Sequence, residues 1–470
     1  MKSSVKNDKR KGNTISEIGI TTDTLTSRGG MSLFVRYLAG INIYSELLRR
    51  FGRLRKNRNG LQLSELLKQI FCFLMDGTSR HLAFFDELKQ DEGYARGIET
   101  DPSDMASSHA VKRFFKSFTW PLIWSFRKIL KQMWLWRLNI VKPDLVVIDV
   151  DSMVMDNDDA EKRHGVSPTY KKVKGFHPIQ ATWGRFIVDA VFQGGKNHCN
   201  HGDTVINLIR HLTADIRLHY RADAAIIFTF DSGYFDQKLF ELCEVLQVGY
   251  VCGGKLYKDV KEHIRSVNAS CFQTFTKGDQ TWDFLEFGDK PGSWTKFRRA
   301  IFCRPVYENR QALLEFARHD SLIYTNLGMG EPIDRLLNGL GRRDLLSVTG
   351  CIELYHGRGR NELVHRSFKD FGFEELPFKR FAPNAALYYF MVLAFFLFES
   401  FKEDVLADAA PVCSRPATIR RKIIDIAAKI VRTGGKVILK VSAVVWQGLG
   451  FPFLWEKSGN PPKLSWDEGF

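Results

Sequence analysis

The stretch that most constrains this chain is Leu145 to Ser152, Leu-Val-Val-Ile-Asp-Val-Asp-Ser, an apolar run that ends in two aspartates one residue apart. Branched apolar residues after the breaker Pro143 read as a buried strand, and a strand's period of two puts Asp149 and Asp151 on one face. Either the pair is solvated at the strand's exit, or a proton, a basic group or a metal ion offsets its charge. The theme returns at Ala224 to Asp231, Ala-Ala-Ile-Ile-Phe-Thr-Phe-Asp, where a second apolar run ends in an aspartate and Ser232-Gly233 turns the chain.

A chain of 470 residues can bury a large core and split into two to four domains. Its 68 Lys+Arg against 53 Asp+Glu give a net charge of +15 and a pI near 9.3, which favours a polyanionic partner, with nucleic acid the leading candidate over a merely solvated basic surface. The eight cysteines form no CxxC pair, so a reduced, cytoplasmic protein is expected. His198-Cys199-x-His201 lacks a second ligand pair at zinc spacing. The N-terminus has no apolar signal core, and the longest apolar run, Ala385 to Phe398, falls short of the roughly 20 residues a bilayer requires, so no membrane segment is expected and that run reads as a buried helix.

Along the chain, residues 1–30 read as a flexible basic arm and 31–140 as a helical region, expected to bind DNA where its basic clusters grip phosphates rather than form solvated faces. Within the latter, Arg49, Arg50, Arg53, Arg55, Lys56 and Arg58 crowd one gap. Ser107 to Phe118 forms a basic amphipathic helix carrying Lys112, Arg113 and Lys116, and Trp120 to Trp136 recurs at core spacing. Residues 141–253 read as the first part of an α/β core: the Asp149/Asp151 strand, a meander over 176–192 turning at Gly184-Arg185, a helix over 204–218, and strands at 224–231 and 248–252. Residues 254–320 read as a β-rich insertion with strands at 271–275, 281–287 and 297–303, and with Trp282 and Trp294 as packing residues. Residues 321–405 resume the core. Residues 406–470 form a C-terminal extension with a basic helix over 418–429 and a strand over 436–441.

Helical character from Arg342 to Phe371 holds Tyr355, Arg358, Glu362 and Lys369, with Arg366 beside them. At ~100° per residue, Tyr355, Arg358, Glu362 and Lys369 fall within an arc of about 60°, so one stripe presents a carboxylate flanked by cations and a phenol. A salt-bridged surface face is the ordinary account of such a stripe. Gly357 and Gly359 interrupt the helix at a cost of about 1 kcal/mol each, the kind of local conflict that functional sites carry.

Tyr355-x2-Arg358-x3-Glu362-x6-Lys369 matches the Y-R-E-K signature of DDE-type insertion-sequence transposases. Asp151-Ser152 and Asp231-Ser-Gly-Tyr resemble that family's two aspartate motifs. Lys174-Gly-Phe-His-Pro178 is similar to its Lys-Gly-Tyr-His-Pro, and Phe381-x2-Asn384 also resembles a family segment. The resemblance spans roughly residues 20 to 440 in order. Met153 stands where the family often has threonine, which leaves Asp149 against Asp151 open as first carboxylate, with spacing in favour of Asp151.

The resemblance implies a ribonuclease-H-like α/β mixed sheet with flanking helices, interrupted by the β-rich insertion and preceded by the all-helical region. It implies Asp151, Asp231 and Glu362 as catalytic carboxylates holding two Mg²⁺ ions (Mn²⁺ as a substitute), with Tyr355, Arg358, Arg366 and Lys369 on DNA phosphates. The expected reaction is cleavage at transposon ends followed by strand transfer. Its partners are double-stranded DNA, both terminal inverted repeats and target, and a second copy of the chain in a homodimeric synaptic complex, in the nucleoid-associated cytoplasm. Two rivals remain. Ile148 to Val154 also resembles the opening of haloacid-dehalogenase phosphatases, with Asp149 as nucleophile and Asp151 as acid/base. A catalytically inactive, transposase-derived DNA-binding protein is the other.

Overall fold

In the computed structural model, which describes residues 15, 17–54, 60–197, 202–292, 294–306 and 319–466, both apolar runs are strands of one sheet. We label its strands β1 (Leu145–Ser152), β2 (Ile179–Trp183), β3 (Phe186–Val191), β4 (Ala225–Phe230), β5 (Gly249–Gly253), β6 (Gln273–Lys277), β7 (Gln280–Asp289), β8 (Arg298–Val306) and β9 (Ser321–Thr325). Their order is β6-β7-β8-β9-β5-β4-β1-β2-β3. Only β1–β4 and β4–β5 pair in parallel; every other neighbour is antiparallel. The meander after β1 and its Gly184-Arg185 turn are as the sequence suggested.

Alternation along β1 splits the interior in two. Val146, Ile148 and Val150 join the main core with the helices Thr204–His219 and Gln237–Val245. Val147 on the opposite face packs with Ile227 and Val251 against Ile333, Leu337, Cys351 and Ile352 of two further helices. The aspartates share this second face.

The β-rich stretch expected as an insertion continues the same sheet. β8 pairs with β9, placing Ile301 opposite Ile323, and both side chains enter the second apolar layer with Cys303. That burial holds β6–β8 on the sheet rather than in a separate unit. Trp294 stacks on Phe235 at 4.9 Å and Trp282 on Phe275 at 5.9 Å, both as packing residues.

Residues 342–371 form two helices rather than one, α1 (Val348–Gly357) and α2 (Gly359–Phe371). They are followed by α3 (Phe381–Phe401), a longer version of the expected apolar helix. By length and composition α3 and its extension to Leu406 could cross a membrane, with a mean hydropathy of 1.7, but 89% of that apolar window is buried inside the protein. Phe390 meets Phe114, Phe115, Phe118 and Phe126 edge-on. Asn384 is buried; its side chain accepts from the Phe378 amide at 2.8 Å and donates to the Phe378 carbonyl at 2.7 Å, which fixes the entry into the helix.

The N-terminal region is helical as expected, with two adjustments. Arg49 and Arg50 both pair with the buried Glu46, so these members of the basic cluster are engaged within the protein. Arg55, Lys56, Arg58, residues 1–14 and His198-Cys199-x-His201 lie outside the described residues. The basic helix spans Ser108–Lys116, its amide end capped by Ser107 Oγ, with Val111, Phe114 and Phe115 inward and Arg113 and Lys116 outward. Of the tryptophans in the following helix, Trp134 and Trp136 are buried, whereas Trp120 and Trp124 are about half-exposed.

The expected arm and C-terminal helix are corrected together. Residues Thr24–Thr26 pair with a strand Ala428–Thr433, which turns at Gly434-Gly435 to pair with Lys436–Val441. The basic stretch from Thr418 is helical only to Ile424, because Arg420 turns inward and Ala428 and Ile430 are drawn into the small sheet. The buried Arg420 donates to the carbonyls of Leu74, Met75 and Phe371 at 2.8 Å and of Asp370 at 3.0 Å. Gly77, at φ +62°, makes the room: a Cβ there would lie 2.2 Å from the guanidinium carbon. Arg420→Ala strips these carbonyls of their donors and is expected to lower unfolding free energy by about 3–5 kcal/mol, read from denaturant melts.

Candidate active site

Register brings the two aspartates together. β1 and β4 pair from Leu145↔Ala225 to Val150↔Phe230, so the next residues along the two strands, Asp151 and Asp231, emerge side by side. Two residues earlier the register opposes Asp149 to Thr229, whose hydroxyl donates to Asp149 Oδ1 at 2.6 Å. The spacing Thr-x-Asp in one strand thus mirrors Asp-x-Asp in the other.

The two β1 carboxylates differ. The Asp149 side chain is 3% exposed and receives Nε of Arg358 in an ion pair. The Asp151 side chain is 27% exposed, accepts from the Ser152 amide at 2.7 Å, and lies 3.8 Å from Nη2 of the same arginine. Asp231 caps the turn that follows β4, accepting from the Gly233 amide at 2.9 Å. Burial, with the Asp231 charge beside it, pushes Asp151 up to about 7 despite the opposing pull of Arg358. For Arg358, burial opposes the charged form, but Asp149, then Asp151 and Asp231, outweigh it and raise its pKa.

α1 and α2 lie over this face. Tyr355 reaches the strand ends: a Cβ at Gly253 would sit 2.6 Å from its hydroxyl, so only glycine allows the approach. Burial raises the Tyr355 pKa, and the Arg358 guanidinium lies 5.9 Å from its ring. Lys369 pairs with Glu374 at 2.7 Å.

Glu362 does not join the aspartates in this structure. Its side chain is 76% exposed and lies 3.6 Å from Arg366. Among the described residues no three His, Cys, Asp or Glu side chains are grouped to hold a metal ion. The helix is interrupted at Arg358, and α2 then buries the face of Val364, Phe368 and Phe371, which leaves Glu362 on the outward side. The single stripe expected from an unbroken helix therefore splits, with Tyr355 and Arg358 inward and Glu362 outward.

His365, missed in the sequence, occupies the inner face instead. It is buried, and its Nδ1 is 4.0 Å from Asp151 Oδ2. Burial, with Lys369, Arg358 and Lys171 nearby, lowers it to about 4, so it is neutral at physiological pH. Its position seven residues, two turns, after Arg358 was the available signal.

The geometry defines an acidic, oxygen-rich site at the carboxyl ends of two interior strands of a mixed sheet, overlaid by a helix pair that carries basic side chains. The chain belongs to the transposase DDE domain group 1 family, whose model matches residues 12–449. No curated protein matches it. Among solved structures it is similar to a chain of the piggyBac transposase synaptic complex with hairpin DNA, at 12% identity and a TM-score of 0.41, over 85% of this chain and 81% of that one.

Proposed function

We propose that this protein is a DNA transposase that cuts the ends of its element and joins them to target DNA by metal-dependent phosphoryl transfer. The observation that carries the reading is the in-register meeting of Asp151 and Asp231, where burial and the neighbouring Asp231 charge push Asp151 up to about 7. Such a pair fits Mg²⁺ or Mn²⁺, hard ions that take oxygen ligands and need few of them from the protein. Asp151 and Asp231 would hold the two ions, and Glu362, the third carboxylate of the family signature, would join them only on a rotation of α2 from the outward position it has here. Bound there, the ions supply activation of the attacking oxygen and charge neutralisation at the leaving one.

The chain's own part is positioning. Arg358, Arg366, Lys369 and Tyr355 grip phosphates near the scissile bond, with arginine suited by its fork and lysine as a point charge. His365, neutral and buried, walls the inner side without adding charge. Terminal repeats and target duplex are the DNA partners, a homodimer holds the two ends, and the protein works on nucleoid DNA in the cytoplasm, with the fold a ribonuclease-H-like variant. The phosphatase alternative fits less well, because its nucleophile, Asp149, is locked between Thr229 and Arg358.

The test is cleavage and strand transfer in Mg²⁺ with DNA bearing the inverted repeats that flank the coding region. Glu362→Gln is expected to abolish both; unchanged cleavage would remove Glu362 from the site. A separate expectation concerns the outward cations of Ser108–Lys116. Arg113→Ala with Lys116→Ala should weaken duplex binding and flatten the log affinity against log salt plot, by roughly 0.9 for each phosphate no longer neutralised.

A further inference from the structure

We propose that Asp149 is a positioning residue that holds the Arg358 guanidinium off Asp151, leaving Asp151 to accept a divalent cation. This rests on the reading that Asp151 and Asp231 hold the ion. One arginine stands between two carboxylates of the same strand face, and it divides itself unequally. Its Nε is paired with Asp149, whereas its Nη2 stays 3.8 Å from Asp151, beyond hydrogen-bond distance. Asp149 is fixed for that task, being buried and accepting from Thr229 Oγ1 at 2.6 Å across the parallel register.

A buried guanidinium without a counter-charge is strongly disfavoured. If Asp149 loses its charge, Arg358 must find another anion, and the closest is Asp151. Little movement is needed, since Nη2 of Arg358 already lies 3.8 Å from Asp151 Oδ2. A guanidinium bonded to Asp151 would take the oxygen that a cation requires. Asp149 thus acts on cation binding through Arg358, without being a ligand.

The experiment measures Mn²⁺ binding to the full chain, free of DNA, by the electron paramagnetic resonance signal of unbound Mn²⁺. Asp151→Asn is the control and should abolish site binding. Asp149→Asn should weaken Mn²⁺ affinity by about tenfold or more, the scale of a lost outer-shell partner. Adding Arg358→Gln to Asp149→Asn should restore affinity to within about threefold of wild type, because the competing cation is gone. A double variant as weak as Asp149→Asn, or an Asp149→Asn protein that binds like wild type, would overturn the proposal. Should Asp149→Asn fail to fold, the double variant decides alone, since it leaves no unpaired buried charge: near-wild-type affinity supports the positioning role and lost affinity makes Asp149 a ligand. Binding that survives Asp151→Asn would instead defeat the site reading itself.

Discussion

Asp151→Asn and Asp231→Asn are each expected to reduce strand cleavage of end-bearing DNA by at least ~10³-fold, equivalent to about 4 kcal/mol of transition-state stabilisation. Duplex affinity measured without divalent ion should stay at or slightly above the wild-type value. The reasoning is electrostatic. An amide keeps the shape of the carboxylate but cannot hold a divalent ion beside its neighbour, and losing one negative charge eases the approach of a phosphate. Because Asp151 and Asp231 are adjacent across one parallel strand pair, either change disables the same locus, and the double variant should be no worse than the single ones. Retained cleavage in either variant would place the chemistry elsewhere on the chain.

Thermal stability of the ion-free protein should fall as pH rises from about 4 to 7, relative to Asp151→Asn. Asp151 is raised from 3.8 to about 7 on folding, first by burial and then by Asp231. The folded state therefore binds the proton more tightly than the unfolded one. Its stabilisation is complete below the unfolded pKa and is lost as pH climbs through the folded pKa. The full span corresponds to roughly 4 kcal/mol at most. Melting curves of wild type and Asp151→Asn, compared at pH 5 and pH 8, isolate this group from the other carboxylates. Millimolar Mg²⁺ should lift the wild-type curve at pH 8 and leave the variant unmoved. Parallel curves for the two proteins would mean that Asp151 is not the strained carboxylate.

Local pattern was enough to find the strands that deliver Asp151 and Asp231, because an apolar run with an acidic end needs no distant information. The Tyr355 to Lys369 spacing was equally legible. What the pattern concealed depends on partners far along the chain. β6, β7 and β8 look like an appended meander until Ile301 is placed opposite Ile323 and buried in the second apolar layer. The outward turn of Glu362 eluded helical-wheel arithmetic because the wheel assumes one unbroken helix, whereas α2 starts anew at Gly359 and buries Val364, Phe368 and Phe371. Arg420 looked like part of a basic surface helix, yet it is a buried cross-brace whose acceptors come from Leu74, Met75, Asp370 and Phe371. Spacing favoured Asp151 over Asp149 without a physical reason; the difference between them is which one Arg358 and Thr229 enclose.

The pairing of Thr24–Thr26 with Ala428–Thr433 has a consequence for biosynthesis. Translation proceeds from the amino end, so the earliest strand emerges from the ribosome long before its mate exists. The small sheet closes only once residues 428–441 have been made, and until then that strand stays an open edge.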